Sequence, residues 1–516
     1  MAQGLDKNGT VKCRRCDNAK SSHTNECATT HETITCISPT FPVLTASLFA
    51  EELQRAGASM CSMAHGTDDV ELAYRRVPCA HPEATVVAIW DTVVGAVRYY
   101  TMGGHNFGIA AAVINFNRAS QLGVLLARRL FGACTAAYFD DFNVTEPQYA
   151  GSSAKRALHW VCAVIGIPLS RDKDVRMAPS NAFLGVLADL SRATQGVAVM
   201  RPKPERVARL VVRIEQVLAA GVMAPQEAAS IAGKLEFTAR FGVAGRLGRA
   251  AMAALRSFQC SKLALSTDSV PITLELAEAL AFYRDVLPSL PPRAFCLTGK
   301  ERPPVLIYTD AMYEASDRRS GRLGLAMFDP ECERWFHADA RVPASVLDRF
   351  QWREQYIGQL EVLAAVAAYT TFSCVRDAQG RALHLLRDRE VVHFIDNTGA
   401  LFGLMKGYSR DVDSARLVHS FHTISAALNA RVWLAFVASK ANLADLPSRG
   451  SFELLLNDLS SSEVEFVLPP LELSWSGSFD FLFRAYAGVL SQPVKRARCR
   501  VQFLMQQLRA PRPRVA

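Results

Sequence analysis

Two adjacent aspartates, Asp140 and Asp141, lie inside an otherwise apolar stretch. Of all features of the sequence, this pair most restricts the folds that the chain can adopt. Small and apolar residues lead into the pair, and apolar residues resume directly after it, over residues 133–144. This pattern predicts a strand–turn–strand hairpin with both acids at the turn and with buried flanks. Two like charges held side by side repel each other unless a cation lies between them. The pair is therefore a candidate ligand set for Mg²⁺, which takes one or two carboxylates and completes its shell with phosphate and water.

A third acid, Asp69, strengthens the interpretation of this pair as a metal centre. An Asp-Asp pair alone also fits an ordinary solvated turn. Asp69 belongs to a separate segment, residues 67–78. Phosphoryl transfer with two metal ions needs carboxylates from separate segments, so that both ions can contact the attacking and the leaving oxygen. The three acids are thus candidate ligands for Mg²⁺ or Mn²⁺.

The order Asp-x-x-x-Ala-Tyr-Arg, then Phe-Gly, then Tyr-x-Asp-Asp resembles the palm of a reverse transcriptase. It is most similar to retrotransposon enzymes in which an RNase H domain follows the polymerase, DIRS-like elements in particular. The resemblance implies that Asp69, Asp140 and Asp141 bind the catalytic metal ions. It also implies an RNA-directed DNA polymerase that uses an RNA template, a DNA primer and deoxynucleoside triphosphates.

The same resemblance assigns roles to four further residues. Tyr74 occupies the position at which the family checks the sugar of the incoming nucleotide. Phe107 and Gly108 match the turn that passes close to the template and the incoming base, and glycine permits that approach. Lys173 matches the residue to which protonation of the pyrophosphate leaving group is assigned.

Four acids after residue 304 follow a second pattern. Asp310 and Asp396 end two apolar strands, Glu361 lies on a helix that is nearly all apolar, and Asp445 follows Asn442 by three residues. An acid on a buried face is costly unless it is paired or bound to a metal ion. The order strand-Asp, helix-Glu, strand-Asp, Asn-x-x-Asp resembles the RNase H fold. This resemblance implies that the four acids hold two Mg²⁺ ions about 4 Å apart and cut the RNA strand of an RNA–DNA hybrid.

The chain is too long for one core, since it has 516 residues, and we expect two to four domains. The expected fold class is α/β (α+β): a reverse-transcriptase palm and fingers with a helical thumb, followed by an RNase H-like domain with a mixed sheet. Apolar residues at helical spacing predict helices over residues 43–56, 109–121, 148–165, 205–219 and 225–241. The expected domains are a Cys-rich, disordered segment (1–40), fingers and palm (41–190), a helical thumb (191–295), the RNase H-like domain (304–450) and a C-terminal tail (451–516).

The first 40 residues allow two interpretations. Cys13, Cys16, His23 and Cys27 resemble the ligands of a zinc knuckle, although the gaps between them differ from that family. The alternative is a disordered segment with incidental cysteines. A basic run at residues 495–500 similarly fits either nucleic-acid binding or a solvated tail.

The net charge of +9 favours a polyanionic partner, in agreement with nucleic acid. No apolar run approaches the roughly 20 residues that span a bilayer, so we expect an intracellular protein, cytoplasmic or nuclear, without a membrane partner. Three interpretations of the function remain. Only 68 residues precede Asp69, and Asn106 stands where the family has proline. The chain is therefore either a polymerase with RNase H, a decayed or domesticated remnant that only binds nucleic acid, or a nuclease alone.

Overall fold

The computed structural model describes residues 2–5, 11–13, 23–27, 32–34, 36–84, 86–106, 108–241, 246–260, 268–298, 302–377, 379–471 and 474–488. It is a mixed α/β structure that divides into two compact units. The first unit comprises Met1–Arg201 and Ala294–Lys300, and the second comprises Pro202–Arg293 and Glu301–Ala516. None of the described helices is both long and apolar enough to span a bilayer.

The first unit is built on a four-stranded sheet whose strands are, in spatial order, Thr135–Tyr138 (β6), Asp141–Pro147 (β7), Met63–Asp69 (β3) and Val175–Ala178 (β8). Its strands and helices are, in chain order, β1 (Ala2–Leu5), β2 (Val11–Cys13), α1 (Phe41–Arg55), β3 (Met63–Asp69), β4 (Val86–Asp91), β5 (Ala96–Thr101), α2 (Ala110–Phe131), β6 (Thr135–Tyr138), β7 (Asp141–Pro147), α3 (Ser153–Val164), β8 (Val175–Ala178), β9 (Ser180–Phe183), β10 (Val186–Asp189) and β11 (Val197–Pro202).

Helices α2 and α3 pack on each other and on the central sheet of this unit. Phe142 and Val144 of β7 are fully buried in the same apolar cluster as Phe116 of α2 and Leu158 of α3. The alternation of apolar residues along β7 therefore serves this core, and it holds the start of β7 in place.

The predicted strand–turn–strand hairpin is confirmed, although only Asp140 of the two acids lies in its turn and Asp141 already belongs to β7. Strands β6 and β7 pair antiparallel, with Tyr138 opposite Asp141, so that Phe139 and Asp140 form the turn. Phe139 has φ 53°, a left-handed conformation that non-glycine residues seldom adopt. The tight turn is thus held in a strained geometry by the paired strands on both sides of it.

The helix predicted over residues 148–165 is wrong in its first turn. A short 3₁₀ helix, Gln148–Ala150, comes first, and α3 begins only at Ser153. Gly151 and Ser152 between them have φ 61° and 65°. Two consecutive left-handed residues cannot continue a right-handed helix, so the chain changes direction before α3 starts.

The second unit combines a group of helices with a six-stranded sheet. Its strands and helices are, in chain order, α4 (Pro204–Ala220), β12 (Val222–Met223), α5 (Pro225–Phe241), α6 (Met252–Gln259), β13 (Val270–Pro271), α7 (Leu274–Val286), β15 (Val305–Glu314), β16 (Asp317–Asp329), β17 (Arg334–Arg341), α8 (Ala344–Leu347), α9 (Ile357–Ser373), β18 (Glu390–Ile395), α10 (Thr398–Lys406), α11 (Val412–Ala427), β19 (Arg431–Phe436), α12 (Asp445–Arg449), β20 (Ser462–Glu463) and α13 (Ala485–Gly488). Between α7 and β15 in the chain, β14 (Arg293–Cys296) belongs to the first unit from Ala294 onward. Strand β14 lies beside β11 in a sheet of the order β14-β11-β10-β9, which returns the chain to the first unit.

The six-stranded sheet has the order β19-β18-β15-β16-β17-β20 and is mixed. Strand β15 pairs antiparallel with β16 and parallel with β18. Helix α9 packs against both β15 and α11, and all of its residues from Gln359 to Ser373 are buried. This explains why its sequence is apolar on every side, apart from Gln359, Glu361 and a few hydroxyl-bearing residues.

Gly324 of β16 allows α12 to lie directly on the sheet. A Cβ atom at this position would be 2.3 Å from the Ala444 carbonyl oxygen and 2.4 Å from the Ser448 backbone nitrogen. Both contacts involve backbone atoms, so a side chain could not be accommodated by a change of rotamer. The glycine therefore fixes how close α12 comes to β15 and β16.

We expect Gly324→Ala to loosen this part of the second unit by about 1–3 kcal/mol, because overpacking forces the backbone to move. Hydrogen exchange of the β15 and β16 amides in the full chain measures this change. Gly358→Ala is the matched control, since a Cβ atom there would meet nothing within 4 Å and alanine favours a helix. Equal exchange in the two variants would contradict the expectation.

Candidate active sites

The backbone brings the three acids of the first unit to one end of its central sheet. Asp69 is the last residue of β3 and Asp141 the first residue of β7, and the two are paired in register. The Val70 N–H donates a hydrogen bond of 2.9 Å to the Asp140 carbonyl oxygen. The acids that the sequence predicts as one group are thus neighbours at the hairpin turn.

The charges at this end of the sheet act on one another. Burial, followed by the charges of Asp140 and Asp69, raises the pKa of Asp141 to about 6, while Lys173 opposes the rise. Lys173 Nζ donates a hydrogen bond of 2.5 Å to Asp69 Oδ2. The predicted acid–base lysine therefore lies at the same acids, and its ammonium group supplies a local positive charge.

The predicted nucleotide-contacting residues are only partly described. The Tyr74 ring packs edge-on against Phe116, with centroids 5.0 Å apart, and its pKa is raised first by burial and then by Asp140. Gly108 has φ 99°, and its carbonyl oxygen accepts a hydrogen bond of 2.9 Å from Asn25 Nδ2. Phe107 lies outside the described residues.

The zinc hypothesis for the N-terminal segment falls largely outside the part of the chain that the structure describes. Cys16 is not described, and neither are the side chains of Cys13 and Cys27. His23 Nδ1 is hydrogen-bonded to Glu26 Oε1 at 2.8 Å. The basic run at residues 495–500 is likewise not described.

Three acids of the second unit converge closely. Asp310 lies on β15, Glu361 lies on α9, and Asp396 directly follows β18, the parallel neighbour of β15. One carboxylate oxygen from each lies within 4.8 Å of the other two. We name these three residues the α9 acid cluster.

The α9 acid cluster fits a divalent cation. Burial, followed by the charges of its neighbours, raises the pKa of Glu361 to about 9. Burial also raises the pKa of Asp310, to about 6, although a hydrogen bond from Ser448 opposes this rise. Among the described residues, Glu361 Oε2 and Asp396 Oδ1 are buried without a hydrogen-bond partner. Oxygens that repel one another and lack donors are the ligands that Mg²⁺ or Mn²⁺ requires.

The fourth predicted acid, Asp445, is near this cluster but is not one of its three members. It is the first residue of α12, and its Oδ1 accepts a hydrogen bond of 2.6 Å from Arg449 Nε. Its charge still contributes to the raised pKa of Asp310. The structure therefore brings together three of the four predicted acids and holds Asp445 in an ion pair beside them.

Three contacts near the acids were missed by reasoning from the sequence. The Ser448 hydroxyl donates a hydrogen bond to Asp310 Oδ2, and Arg449 holds Asp445. The position of Ser448 three residues after Asp445, on the same helix face, was the available signal. In the first unit, the buried ammonium group of Lys155 lies between Asp68 and Asp174, and no local sequence pattern pointed to it.

Comparison with known proteins gives only weak similarity. No protein-family model matches the chain, and no curated protein matches it. The chain is similar to a foamy viral protease–reverse transcriptase dRH in complex with double-stranded DNA, with TM-score 0.38 and 13% identity over 85% of this chain and 66% of that chain. Two further structures of the foamy viral protease–reverse transcriptase are also similar. One is in complex with an RNA/DNA hybrid (TM-score 0.34, 13% identity, 74% of this chain and 45% of that chain), and the other is in complex with double-stranded DNA (TM-score 0.38, 13% identity, 84% and 76%).

The chain thus spans less than two thirds of the first two of these proteins, 66% and 45%. All three contain a reverse transcriptase, the family that the sequence resembles. The likeness to DIRS-like elements stays a prediction. Because all three TM-scores are below 0.5, the function has to be inferred from the geometry of the chain itself.

The raised pKa of Glu361 predicts how the stability of the second unit depends on pH. A carboxyl group whose pKa is raised by folding stabilises the fold while it is protonated, and this contribution is lost as the pH rises from about 4.5 toward 9. In EDTA we expect Glu361→Gln to melt several degrees above the unaltered chain at pH 8 and close to it at pH 5. Calorimetry of both proteins, with Glu453→Gln as the exposed control, checks this.

Added Mg²⁺ should reverse the order at pH 8, because the carboxylate of Glu361 is then a ligand while the glutamine amide is a weaker one. A melting temperature of the unaltered chain that does not respond to Mg²⁺, or a difference between the two proteins that stays constant from pH 5 to pH 8, would contradict the assignment.

Proposed function

We propose that this chain is an RNA-directed DNA polymerase of a retrotransposon with an attached RNase H activity. The observation that carries the proposal is the presence of two separate groups of acids, each on its own sheet. The α9 acid cluster supports it most strongly, since its oxygens converge and two of them are buried without donors. Sites of this kind join or cut phosphodiester bonds by in-line displacement.

In the first unit, Asp69, Asp140 and Asp141 would hold two Mg²⁺ or Mn²⁺ ions. The ions would supply charge neutralisation for a primer 3′-hydroxyl and for the α-phosphate of a deoxynucleoside triphosphate. Lys173, already within hydrogen-bonding distance of Asp69, would give its proton to the departing pyrophosphate. The fixed positions of β3 and β7 would keep the attacking and leaving groups in line.

The remaining predicted residues of this site would select the nucleotide. The Tyr74 ring, held by Phe116, would lie against the sugar of the incoming nucleotide. Gly108 would leave room for the base pair, and Phe107 would flank it. These roles come from the resemblance to reverse transcriptases, and the packing of Tyr74 is the contact that supports them.

In the second unit, Asp310, Glu361 and Asp396 would hold the metal ions, with Asp445 at the edge of the site. The ions would supply an activated water for attack on an RNA phosphate. The partners would be an RNA template, a DNA primer and the RNA–DNA hybrid, which proteins recognise through backbone shape and the 2′-hydroxyl rather than through sequence. A net charge of +9 is consistent with such partners.

A second candidate function is RNase H-type cleavage alone. Among the described residues, two groups of three side chains each bring their ligand atoms within 4.8 Å of one another. Neither group consists of Asp69, Asp140 and Asp141. Lys173 instead binds Asp69. This favours a chain in which the first unit binds the hybrid without extending a primer.

Two asparagine substitutions separate these functions. We expect Asp141→Asn to lower primer extension on a primed RNA by at least about 100-fold and to leave hybrid cleavage unchanged, while Asp310→Asn does the reverse. Primer extension and cleavage of a labelled hybrid are measured on the same preparations. Glu51→Gln, an exposed change on α1, is the control.

Loss of cleavage in Asp310→Asn, together with no extension by the unaltered chain at any Mg²⁺ concentration, would instead select the nuclease function. If the unaltered chain shows neither activity and still binds the hybrid, the remnant interpretation stands.

The raised pKa of Asp141 adds a pH dependence. With a pKa of about 6, Asp141 takes up a proton as the pH falls through 6 and then ceases to be an ionised metal ligand. We expect extension at subsaturating Mg²⁺ to fall between pH 7 and pH 5, and to recover when the Mg²⁺ concentration is raised. A rate that is flat over this range, measured in single-nucleotide incorporation, would contradict this.

A further inference from the structure

A buried lysine lies directly behind the acids of the first unit. Lys155 Nζ is 2.5 Å from Asp174 Oδ1, 2.6 Å from the Val175 carbonyl oxygen, 3.3 Å from the Thr67 carbonyl oxygen and 3.4 Å from Asp68 Oδ1. Its side chain is only 6% exposed. Four oxygens from two segments, residues 67–68 and 174–175, thus surround one ammonium group.

A bulge between β3 and β8 creates the space for this group. His65 pairs with Ala178 and Thr67 pairs with Val175, so that two steps along β3 correspond to three along β8. The extra residue on β8 locally disrupts the ladder of hydrogen bonds between the two strands. A Cβ atom on Gly66 would be 2.7 Å from the Val175 carbonyl oxygen and 3.3 Å from Lys155 Nζ. The glycine therefore leaves room for both the bulge and the ammonium group.

The two segments that Lys155 joins are also those that carry the site residues. Asp68 precedes Asp69, and Asp174 follows Lys173. Side chains of successive strand residues point to opposite faces, and the Asp68 side chain is 2% exposed while that of Asp69 is 13% exposed. One lysine–carboxylate bridge, Lys173 with Asp69, therefore borders the site, and a second, made by Lys155, lies behind it.

We propose that Lys155 is a positioning residue that sets the distance between Asp69 and Lys173. The inference rests on the polymerase function proposed above, and it deepens that function. Lys155 holds the backbone on both sides of the pair through Thr67, Asp68, Asp174 and Val175, without contact to substrate. Because misplacement of a reacting group by about 1 Å can reduce the rate by about 100-fold, a clamp on these two segments bears directly on catalysis.

The same place offers an arrangement that a metal ion could use. Ligand atoms of Asp68, His159 and Asp174 lie within 4.8 Å of one another, and His159 Nε2 is 2.9 Å from Asp68 Oδ1. The ammonium group of Lys155 already supplies the positive charge there and binds Asp174. A cation held covalently on α3 keeps these contacts at every metal concentration, which suits a positioning role better than a second exchangeable ion.

The test compares Lys155→Met with Arg156→Met in the full chain. Arg156 is the next residue on α3 and is exposed, so its change removes the same charge from the same helix. Single-nucleotide incorporation gives the rate at saturating nucleotide, the KM for nucleotide and the Mg²⁺ concentration for half-maximal rate. Hybrid cleavage by the second unit, measured on the same samples, reports whether that unit remains folded, and hydrogen exchange of the β7 amides reports the same for the first unit.

We expect Lys155→Met to lower the saturated rate by about 10–100-fold and to raise the half-maximal Mg²⁺ concentration several-fold, with little change in KM. Hybrid cleavage by Lys155→Met should equal that by the unaltered chain. Arg156→Met should equal the unaltered chain in every measurement. Asp174→Asn removes the carboxylate charge from the 2.5 Å contact, at a side chain that is 39% exposed, so it should show a weaker effect in the same direction without unfolding.

The inference is overturned if Lys155→Met and Asp174→Asn both behave as Arg156→Met does. If Lys155→Met loses the protection of the β7 amides, or hybrid cleavage, the result for Asp174→Asn is used instead. An unchanged dependence of its incorporation rate on Mg²⁺ also overturns the inference.

If the polymerase function is wrong, the unaltered chain itself incorporates no nucleotide, a result that differs from those expected of the Lys155 variants. In that case Mn²⁺ binding, measured by electron paramagnetic resonance in a Glu361→Gln background, replaces the rate. Weaker binding at the first unit in Lys155→Met, compared with Arg156→Met, supports the inference, and equal binding overturns it.

Discussion

Repulsion between carboxylates held close together in poorly solvated positions governs both candidate sites. Burial, and after it the charge of Asp396, favours the neutral forms of Asp310 and Glu361. Apolar packing of α9 keeps them together, since every residue around Glu361 on that helix is buried. The sheet and helix thus oppose the repulsion, and a cation is what relieves it.

The two groups of acids differ in how their charge is balanced. In the first unit Lys173 and Lys155 bring ammonium groups to both faces of β3. In the second unit the nearby Arg449 is bound to Asp445, and the Ser448 hydroxyl bonds Asp310. The α9 acid cluster therefore depends more heavily on an added cation than the acids of β3 and β7 do.

Patterns that repeat over many residues predicted much of the fold. The apolar flanks of Asp140 and Asp141 predicted the hairpin, and the apolar run around Glu361 predicted a buried helix. Both predictions were possible because buried segments have recognisable patterns of apolar residues. Gly151 and Ser152 show where this reasoning fails. Their left-handed conformation interrupts the helix predicted over residues 148–165, and helical spacing alone carries no sign of it.

The residues of the candidate sites could be predicted where the signal lies in a single segment of the sequence. An acid at the end of an apolar strand, such as Asp310 or Asp396, stands out in the sequence. Lys155 does not, because its environment arises from a bulge that joins Thr67 to Val175, more than a hundred residues along the chain. Register between distant strands is set by the complete fold and cannot be found in any single segment.

The path of the chain through the two units has a consequence for how the protein can be divided. The first unit is discontinuous: it consists of Met1–Arg201 and the short return Ala294–Lys300. That return supplies β14, which lies beside β11. A fragment that ends near residue 201 would leave β11 as a bare edge with unpaired backbone groups, and such edges recruit foreign strands. Cutting the chain at this single point would therefore give a fragment that associates with itself. To obtain the first unit alone with its sheet complete, the fragment must also include the return strand β14.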